Sequence, residues 1–277
     1  MRKFVKSSHS VMFMSSLYVL RPNATTLKLD YQTMLVSFII YFNILILSAL
    51  YCLFAMLPFM TIVIILRFNR QKIAHWLRFF IVWYGKFIIR FAGFPFIRVT
   101  YEDTAPDEME PGIIIVNHRS ASDPFLVAFL DREIIQMVNG WPMRLPFFGF
   151  FARHAEYIDI TRTPYDELRR HVEYLLLKGV SVVTFPEGTR SGNLTMNQFH
   201  GSIFRVAHEL KATVTPVCIT GNQNIPSRNF RLSCGHIRIR KLPSLRPEII
   251  AGFTPFTLKT HVRDIIVDET SKMDAIQ

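Results

Sequence analysis

Charge is missing from Tyr31 to Leu66, a run of 36 residues dominated by Leu, Ile, Phe, Met and Val. A water-exposed segment cannot stay this apolar, so the run is expected to be embedded in a membrane. As a helix it would reach about 54 Å at about 1.5 Å per residue. A bilayer core needs only about 30 Å. One span overshoots and two spans with a turn are cramped. Pro58 offers a break, so a kinked single span and a shallow re-entrant hairpin both fit. Cysteine is scarce too: Cys52, Cys218 and Cys234 are odd in number and far apart. That excludes a disulfide framework and a zinc pattern, leaving them as small core or membrane fillers. Internal repeats and low-complexity tracts are absent, which removes solenoid and linker architectures.

Acidic residues are also short, with 21 Asp and Glu against 32 Lys and Arg, a net charge of +11. Such a surface prefers phosphorylated substrates, acidic membranes or nucleic acid. A chain that is 50% hydrophobic with 25 Phe is too apolar for an ordinary soluble nucleic-acid binder, so membrane lipids are the expected partners. Arg2, Lys3, Lys6, Arg21 and Lys28 precede the apolar run, and Arg67, Arg70, Lys72, Arg78, Lys86 and Arg90 follow it without an acid. The positive-inside tendency keeps both flanks, and the rest of the chain, in the cytoplasm. "MRKFVKSSHS" and "VMFMSSLYVL" resemble a leader, yet no small-x-small site precedes "RPNATT", so no cleavage is expected. Residues 1–70 therefore read as a membrane-anchoring segment and 71–277 as an α/β domain. Residues 71–92, mixing large aromatics with cations, read as its amphipathic lead-in helix.

Short apolar runs then alternate with helical spacing. The runs are "GIIIV" (112–116), "EIIQMV" (133–138), "EYIDI" (156–160), "VSVVTF" (180–185), "TVTPVCIT" (213–220) and "HIRIRKL" (236–242). "DPFLVAFL", "TPYDELRRHVEYLLLKG" and "GSIFRVAHELKA" have helical periodicity. The pattern predicts an α/β fold with a largely parallel sheet flanked by helices. Four strands run into polar loops: "NHRSASDP", "TRTP", "PEGTRSG" and "GNQNIP". In a parallel sheet these loops share the carboxyl edge, where ligands bind.

Two clusters carry chemistry. His118 follows a strand, and Asp123 stands five residues on. Asp before Pro also suits a helix start, with Asp123 as N-cap and Pro124 at the first helical position. The roles are compatible, because a fixed carboxylate can hold one imidazole nitrogen while the other acts as a base. There is no G-x-S-x-G elbow and no cysteine nearby, so Ser120 and Ser122 are candidate nucleophiles by proximity alone. The simplest chemistry is removal of a proton from a substrate hydroxyl. In "FPEGTRSG", Arg190 beside backbone amides suits a phosphate, although Glu187 could instead pair with Arg190 structurally. Arg162 could add a second cation, or merely precede a helix.

In this order, the His-x4-Asp of "NHRSASD", the block "FPEGTRS" and the Val-Pro-Val-like "VTPVCIT" resemble the 1-acylglycerol-3-phosphate acyltransferase (lysophosphatidic acid acyltransferase) family of glycerolipid acyltransferases. The resemblance runs from about residue 75 to 245. It implies that His118 is the base, that Asp123 orients it, and that Glu187, Gly188, Thr189 and Arg190 help to bind the acceptor's glycerol phosphate. No metal or resident cofactor is implied; acyl-CoA or acyl-carrier protein would be the co-substrate. Two departures stand out. The second block reads Tyr157-Ile158-Asp159-Ile160 where the family has Phe-Ile-Asp-Arg, with the arginine delayed to Arg162. His200 stands near the place of a lysine common in the family. The acceptor could then be glycerol 3-phosphate or a lyso-aminolipid. A non-catalytic lipid-binding protein would not need the intact His118–Asp123 pair.

Overall fold

The computed structural model describes residues 24–106 and 110–276. The leader-like stretch lies outside them. The uncharged run folds as helix α1 (Ala24–Ile65), unbroken through Pro58. Its 42 residues span about 63 Å at about 1.5 Å each. A hairpin within residues 31–66 is therefore not formed. An apolar run in an apolar setting keeps its backbone groups satisfied best inside one helix. The chain turns after the run instead, at Arg67 and Phe68, both left-handed with φ of 48° and 60°. Asn69 then caps α2 (Arg70–Ala92), its side chain accepting from the Lys72 amide at 3.1 Å.

The amphipathic helix α2 returns along α1. Tyr51 donates its hydroxyl to the Phe80 carbonyl at 2.8 Å, and Ser48 and Tyr84 share a hydrogen bond at 2.9 Å. Most of α1 faces outward, with Phe38, Leu45, Phe54 and Leu57 exposed. Among the described residues it is the one helix long and apolar enough to cross a membrane, over Tyr31–Ile65. It is not detached from the rest. Ile40 is buried, and Ser37 and Tyr41 bond to the backbone of Leu232 and Phe230.

The chain continues with β1 (Ile97–Asp103), β2 (Ile113–Val116), the short α3 (Asp123–Leu126) with a 3-10 turn, β3 (Ile134–Val138), α4 (Gly140–Met143) and α5 (Pro146–His154). Then come β4 (Ile158–Asp159), α6 (Tyr165–Leu177), β5 (Ser181–Thr184), α7 (Ser202–Leu210), β6 (Val214–Thr220), β7 (Gly235–Lys241), α8 (Pro247–Ile250) and α9 (Pro255–Ala275). The strands form one sheet in the order β1-β7-β6-β2-β5-β3-β4. Strands β6, β2, β5, β3 and β4 run parallel, as the sequence pattern predicts. β2 is buried on both faces: Ile113 and Ile115 point into one core, Ile114 and Val116 into the other. Branched apolar runs without alternation belong in that setting.

The largely parallel sheet holds with one antiparallel pair, and two other expectations need correction. β7 is antiparallel to β6, and β1, absent from the sequence reading, pairs parallel with β7. Both strands alternate with polar residues and β1 lies at the edge, so no continuous apolar run announces β1. Asp123 is not an N-cap; that position belongs to Ser122, and "DPFLVAFL" divides into α3 and the 3-10 turn. Cys218 is a core filler in β6 and Cys52 faces outward on α1, but Cys234 is exposed before β7. The aromatic α4 and α5 were also unread, because Pro142, Pro146 and Gly149 interrupt any helical period.

One buried cation ties the edge together. Lys241 is 1% exposed and its ammonium reaches Asp103 Oδ1 and Oδ2 at 2.9 and 3.1 Å. Burial pushes the Asp103 carboxyl up, but the hydrogen bonds from Lys241 and the Ala105 amide outweigh this and hold it below its ordinary value. A depressed folded pKa contributes stability above the unfolded value, which is lost as pH falls through the folded one. Asp103→Ala is expected to destabilise the fold at pH 7 by up to about 3 kcal/mol, since it strands a buried ammonium. The deficit should shrink below about pH 4; denaturant titrations of both proteins at neutral and acid pH check this.

Candidate active site

The polar loops do meet at one edge. Strand β2 ends at Val116, and Asn117 extends its ladder with a side chain. Asn117 Nδ2 donates to the Ile219 carbonyl at 2.9 Å, and Oδ1 accepts from the Ile219 amide at 2.8 Å. A side chain that mimics a peptide here fixes where the next residue emerges. That residue is His118, whose ring lies 4.8 Å from the Phe185 ring, centroid to centroid.

His118 Nδ1 lies 2.8 Å from Asp123 Oδ2. The carboxylate is fully buried, while the histidine side chain remains 18% exposed. Asp123 Oδ2 also accepts from the Ser120 amide at 2.8 Å, and Oδ1 accepts from Asn222 Nδ2 in a short contact. An ionised carboxylate can only accept, so Nδ1 carries the proton and Nε2 keeps its lone pair. The pair anticipated from His-x4-Asp is assembled. Asn222, which sequence reasoning did not single out, completes it from the loop after β6. That loop was placed at the right edge, but nothing in "GNQNIP" distinguishes one amide from the next.

The nearby serines are structural. Ser122 donates its hydroxyl to the Ile225 carbonyl at 2.6 Å, and Ser120 lies within 3.0 Å of the Ile225 and Pro226 carbonyls. Both are buried, which removes them as nucleophiles.

Glu187 does not face outward toward a ligand. Its Oε1 accepts from the His118 amide at 2.6 Å and its Oε2 from the Asn197 amide at 2.8 Å. Burial raises its carboxyl above the usual range, and the two amides pull it partly back. The bridge to Arg190 considered from sequence is not made. Glu187 instead clamps the loop after β5 to the start of the His118 loop. Two further bonds do the same, from the Ser191 amide to the His118 carbonyl at 2.7 Å and from the Gly192 amide to the Arg119 carbonyl at 3.1 Å.

Gly188 adopts φ +72°, where a side chain would be strained, and a Cβ there would approach His200 Nε2 to 2.8 Å. His200 therefore packs over the glycine. Thr189 is exposed, and its carbonyl accepts from Asn197 Nδ2 at 3.2 Å. Arg190 stacks its guanidinium 4.9 Å above the Phe230 ring. Its Nη2 donates to the Arg228 carbonyl at 3.4 Å, and its Nη1 is buried with no partner among the described residues. A held guanidinium with a spare donor is suited to an oxyanion. Arg228 stands beside it, donating to the Ser191 carbonyl at 2.8 Å. Arg162 lies apart, beyond edge strand β4. It is 72% exposed, and its ion pair to Asp159 is loose at 3.9 Å.

A further residue of the His118 loop is committed elsewhere. Arg119 is buried and forms a two-pronged bond with Asp274 of α9, at 2.8 and 2.7 Å.

Comparison with known proteins matches residues 96–220 to the Acyltransferase family model. The chain is 27% identical over 154 residues to a chloroplast 1-acyl-sn-glycerol-3-phosphate acyltransferase of Arabidopsis thaliana, covering 53% of this chain and 43% of that protein. It is 29% identical over 157 residues to a lyso-ornithine lipid O-acyltransferase of Pseudomonas aeruginosa, covering 54% of each. The chain thus spans about half the length of these curated relatives. The crystal structure of a 1-acyl-sn-glycerophosphate acyltransferase from Thermotoga maritima shares the fold, with a TM-score of 0.68 at 20% identity, over 88% of this chain and 98% of that one. The His-x4-Asp and Glu-Gly-Thr-Arg blocks both lie inside the region that matches the Acyltransferase model, and their loops are joined through Glu187, Ser191 and Gly192.

Proposed function

We propose that the protein is an O-acyltransferase that moves a fatty acyl group from a thioester donor, acyl-CoA or acyl-carrier protein, to the free hydroxyl of a lysophospholipid. The acceptor is 1-acyl-glycerol 3-phosphate and the product phosphatidic acid, a step of phospholipid biosynthesis. One observation carries the reading: an imidazole whose Nδ1 is held by a buried carboxylate, leaving Nε2 free, beside a loop that presents Arg190. His118 Nε2 takes the proton of the acceptor hydroxyl as its oxygen attacks the thioester carbonyl. The carbon–sulfur bond breaks, and the imidazolium returns the proton to the departing thiolate. Asp123, fixed by Ser120 and Asn222, steadies the positive imidazolium between the two transfers. Arg190 holds the acceptor phosphate. Both the lysolipid and its product reside in a leaflet, so α1 keeps the enzyme with its substrate, the catalytic face on the cytoplasmic side.

A second reading concerns the acceptor alone. The relative of Pseudomonas aeruginosa named for lyso-ornithine lipid is as similar as the phosphatidate-forming ones. Arg162 stands exposed beyond the crevice rather than in the family's second block. Together these favour a lyso-aminolipid as the competing acceptor.

The deciding experiment offers the purified protein a panel of lysolipids with labelled palmitoyl-CoA or palmitoyl-acyl-carrier protein and identifies products by mass. Phosphatidic acid is expected from 1-acyl-glycerol 3-phosphate, and only lyso-aminolipid acylation would transfer the assignment. His118→Ala should lower kcat by about 10² to 10⁴, the usual worth of general-base help. Near-normal turnover in a folded variant would sink the role. Glu187→Gln should lower kcat and leave KM for the acceptor nearly unchanged, because it places an NH2 group against a backbone amide and shifts His118. If KM rises instead, Glu187 binds substrate. Arg190→Ala should act the other way, raising acceptor KM by about 10- to 100-fold for a lost charge-assisted bond, with KM for the thioester little altered.

A further inference from the structure

Helices α4 and α5 present an unusual surface. Trp141 is 62% exposed and Phe150 51%, and Leu145, Phe148 and Phe151 are exposed beside them. The segment is not loosely folded. A Cβ on Gly149 would come within 2.0 Å of the Met143 carbonyl, so α5 lies tightly against α4. Arg153 Nη1 donates to the same carbonyl at 2.7 Å, and Ala152 and Ala155 are buried against the core. The aromatic side chains therefore cannot turn inward.

Position and charge indicate what covers them. Asn139, just ahead of α4, donates its side chain to the Gly188 carbonyl at 3.1 Å, so the aromatic corner borders the Arg190 loop. Helix α5 packs against α2, whose Trp76, Phe79 and Trp83 are exposed too, and α2 packs against the outward-facing α1. Exposed aromatics thus occur on each of three successively packed elements, α1, α2 and α4–α5, the last of them bordering the Arg190 loop. From Asn139 to Ala155 there is no acid, while Arg144, Arg153 and His154 lie among the aromatics. Trp and Phe mixed with cations match the boundary between lipid headgroups and acyl chains.

We propose that α4–α5 is a second lipid-contact element, which seats in the leaflet beside the crevice and draws its rim to headgroup depth. This rests on the membrane-resident acyltransferase reading. The surface offers a separate readout, because the chain has three tryptophans, Trp76, Trp83 and Trp141. In the full-length W76F/W83F variant, Trp141 emission reports on this corner alone. The variant is mixed with phosphatidylethanolamine–phosphatidylglycerol vesicles carrying brominated phosphatidylcholine, and sedimentation is followed in parallel. Trp141 emission is expected to shift to shorter wavelength. Bromines high on the acyl chains should quench it more than bromines near the chain ends. If the double variant does not fold, the bromine quenching lost between wild type and W141F isolates the same signal.

Sedimentation with unquenched Trp141 overturns this proposal and leaves the anchor intact. Failure to sediment overturns both the anchor and the second contact. Shielding of Trp141 from soluble iodide without lipid, in a protein that elutes as a dimer, assigns the surface to a second copy and overturns the proposal as well.

Discussion

A carboxylate sealed from water must be met by donors, and Asp123 is met by three: the Ser120 amide, the Asn222 side chain and the His118 imidazole. Leaving such a group short of partners costs more than most single contacts contribute. The three donors come from two loops, after β2 and after β6, so the requirement fixes the distance between those loops. Glu187 then ties in the loop after β5 through the His118 amide. The imidazole is left with no freedom except at Nε2. Its orientation follows from satisfying buried charge, before any ligand arrives.

The guanidinium of Arg190 sits on a different support. Arg190 rests on Phe230, and the Phe230 carbonyl accepts the hydroxyl of Tyr41 in α1 at 2.7 Å. Ser37, one turn earlier in α1, accepts from the Leu232 amide at 2.8 Å. The same helix that is apolar enough for a bilayer thus braces the cation side of the crevice. In the proposed reaction, an acceptor entering from a leaflet meets, through its phosphate, a residue braced by α1 and, through its hydroxyl, a residue braced by the sheet.

Much of this was legible because it rests on periodicity and on residue types with few alternatives. The doubly buried strands show as unbroken apolar runs, and the carboxyl-edge loops follow from parallel strands. His118, Asp123 and Arg190 are chemically conspicuous. Edge strand β1 was lost, since alternation with Arg98, Thr100 and Glu102 reads as loop. The amide partners of Glu187 were not legible, because a sequence block does not say which way a side chain points. Asn222 and Asn117 were invisible for another reason: an amide earns its place by what lies across the sheet, at a separation of about a hundred residues.

Helix α9, with no role legible in sequence, shows how far the requirement for satisfaction reaches. Arg119 stands inside His-x4-Asp, and the tight loop turns its guanidinium inward, to 3% exposure. A buried guanidinium without an anion would open the loop to reach water. Asp274 supplies both oxygens, and Arg238 donates to the neighbouring Met273 carbonyl at 3.1 Å. The last turns of α9 are therefore held against the sheet by one cation and hold the His118 loop by another. The geometry between His118 and Asp123, five residues apart, consequently depends on a helix some 150 residues downstream.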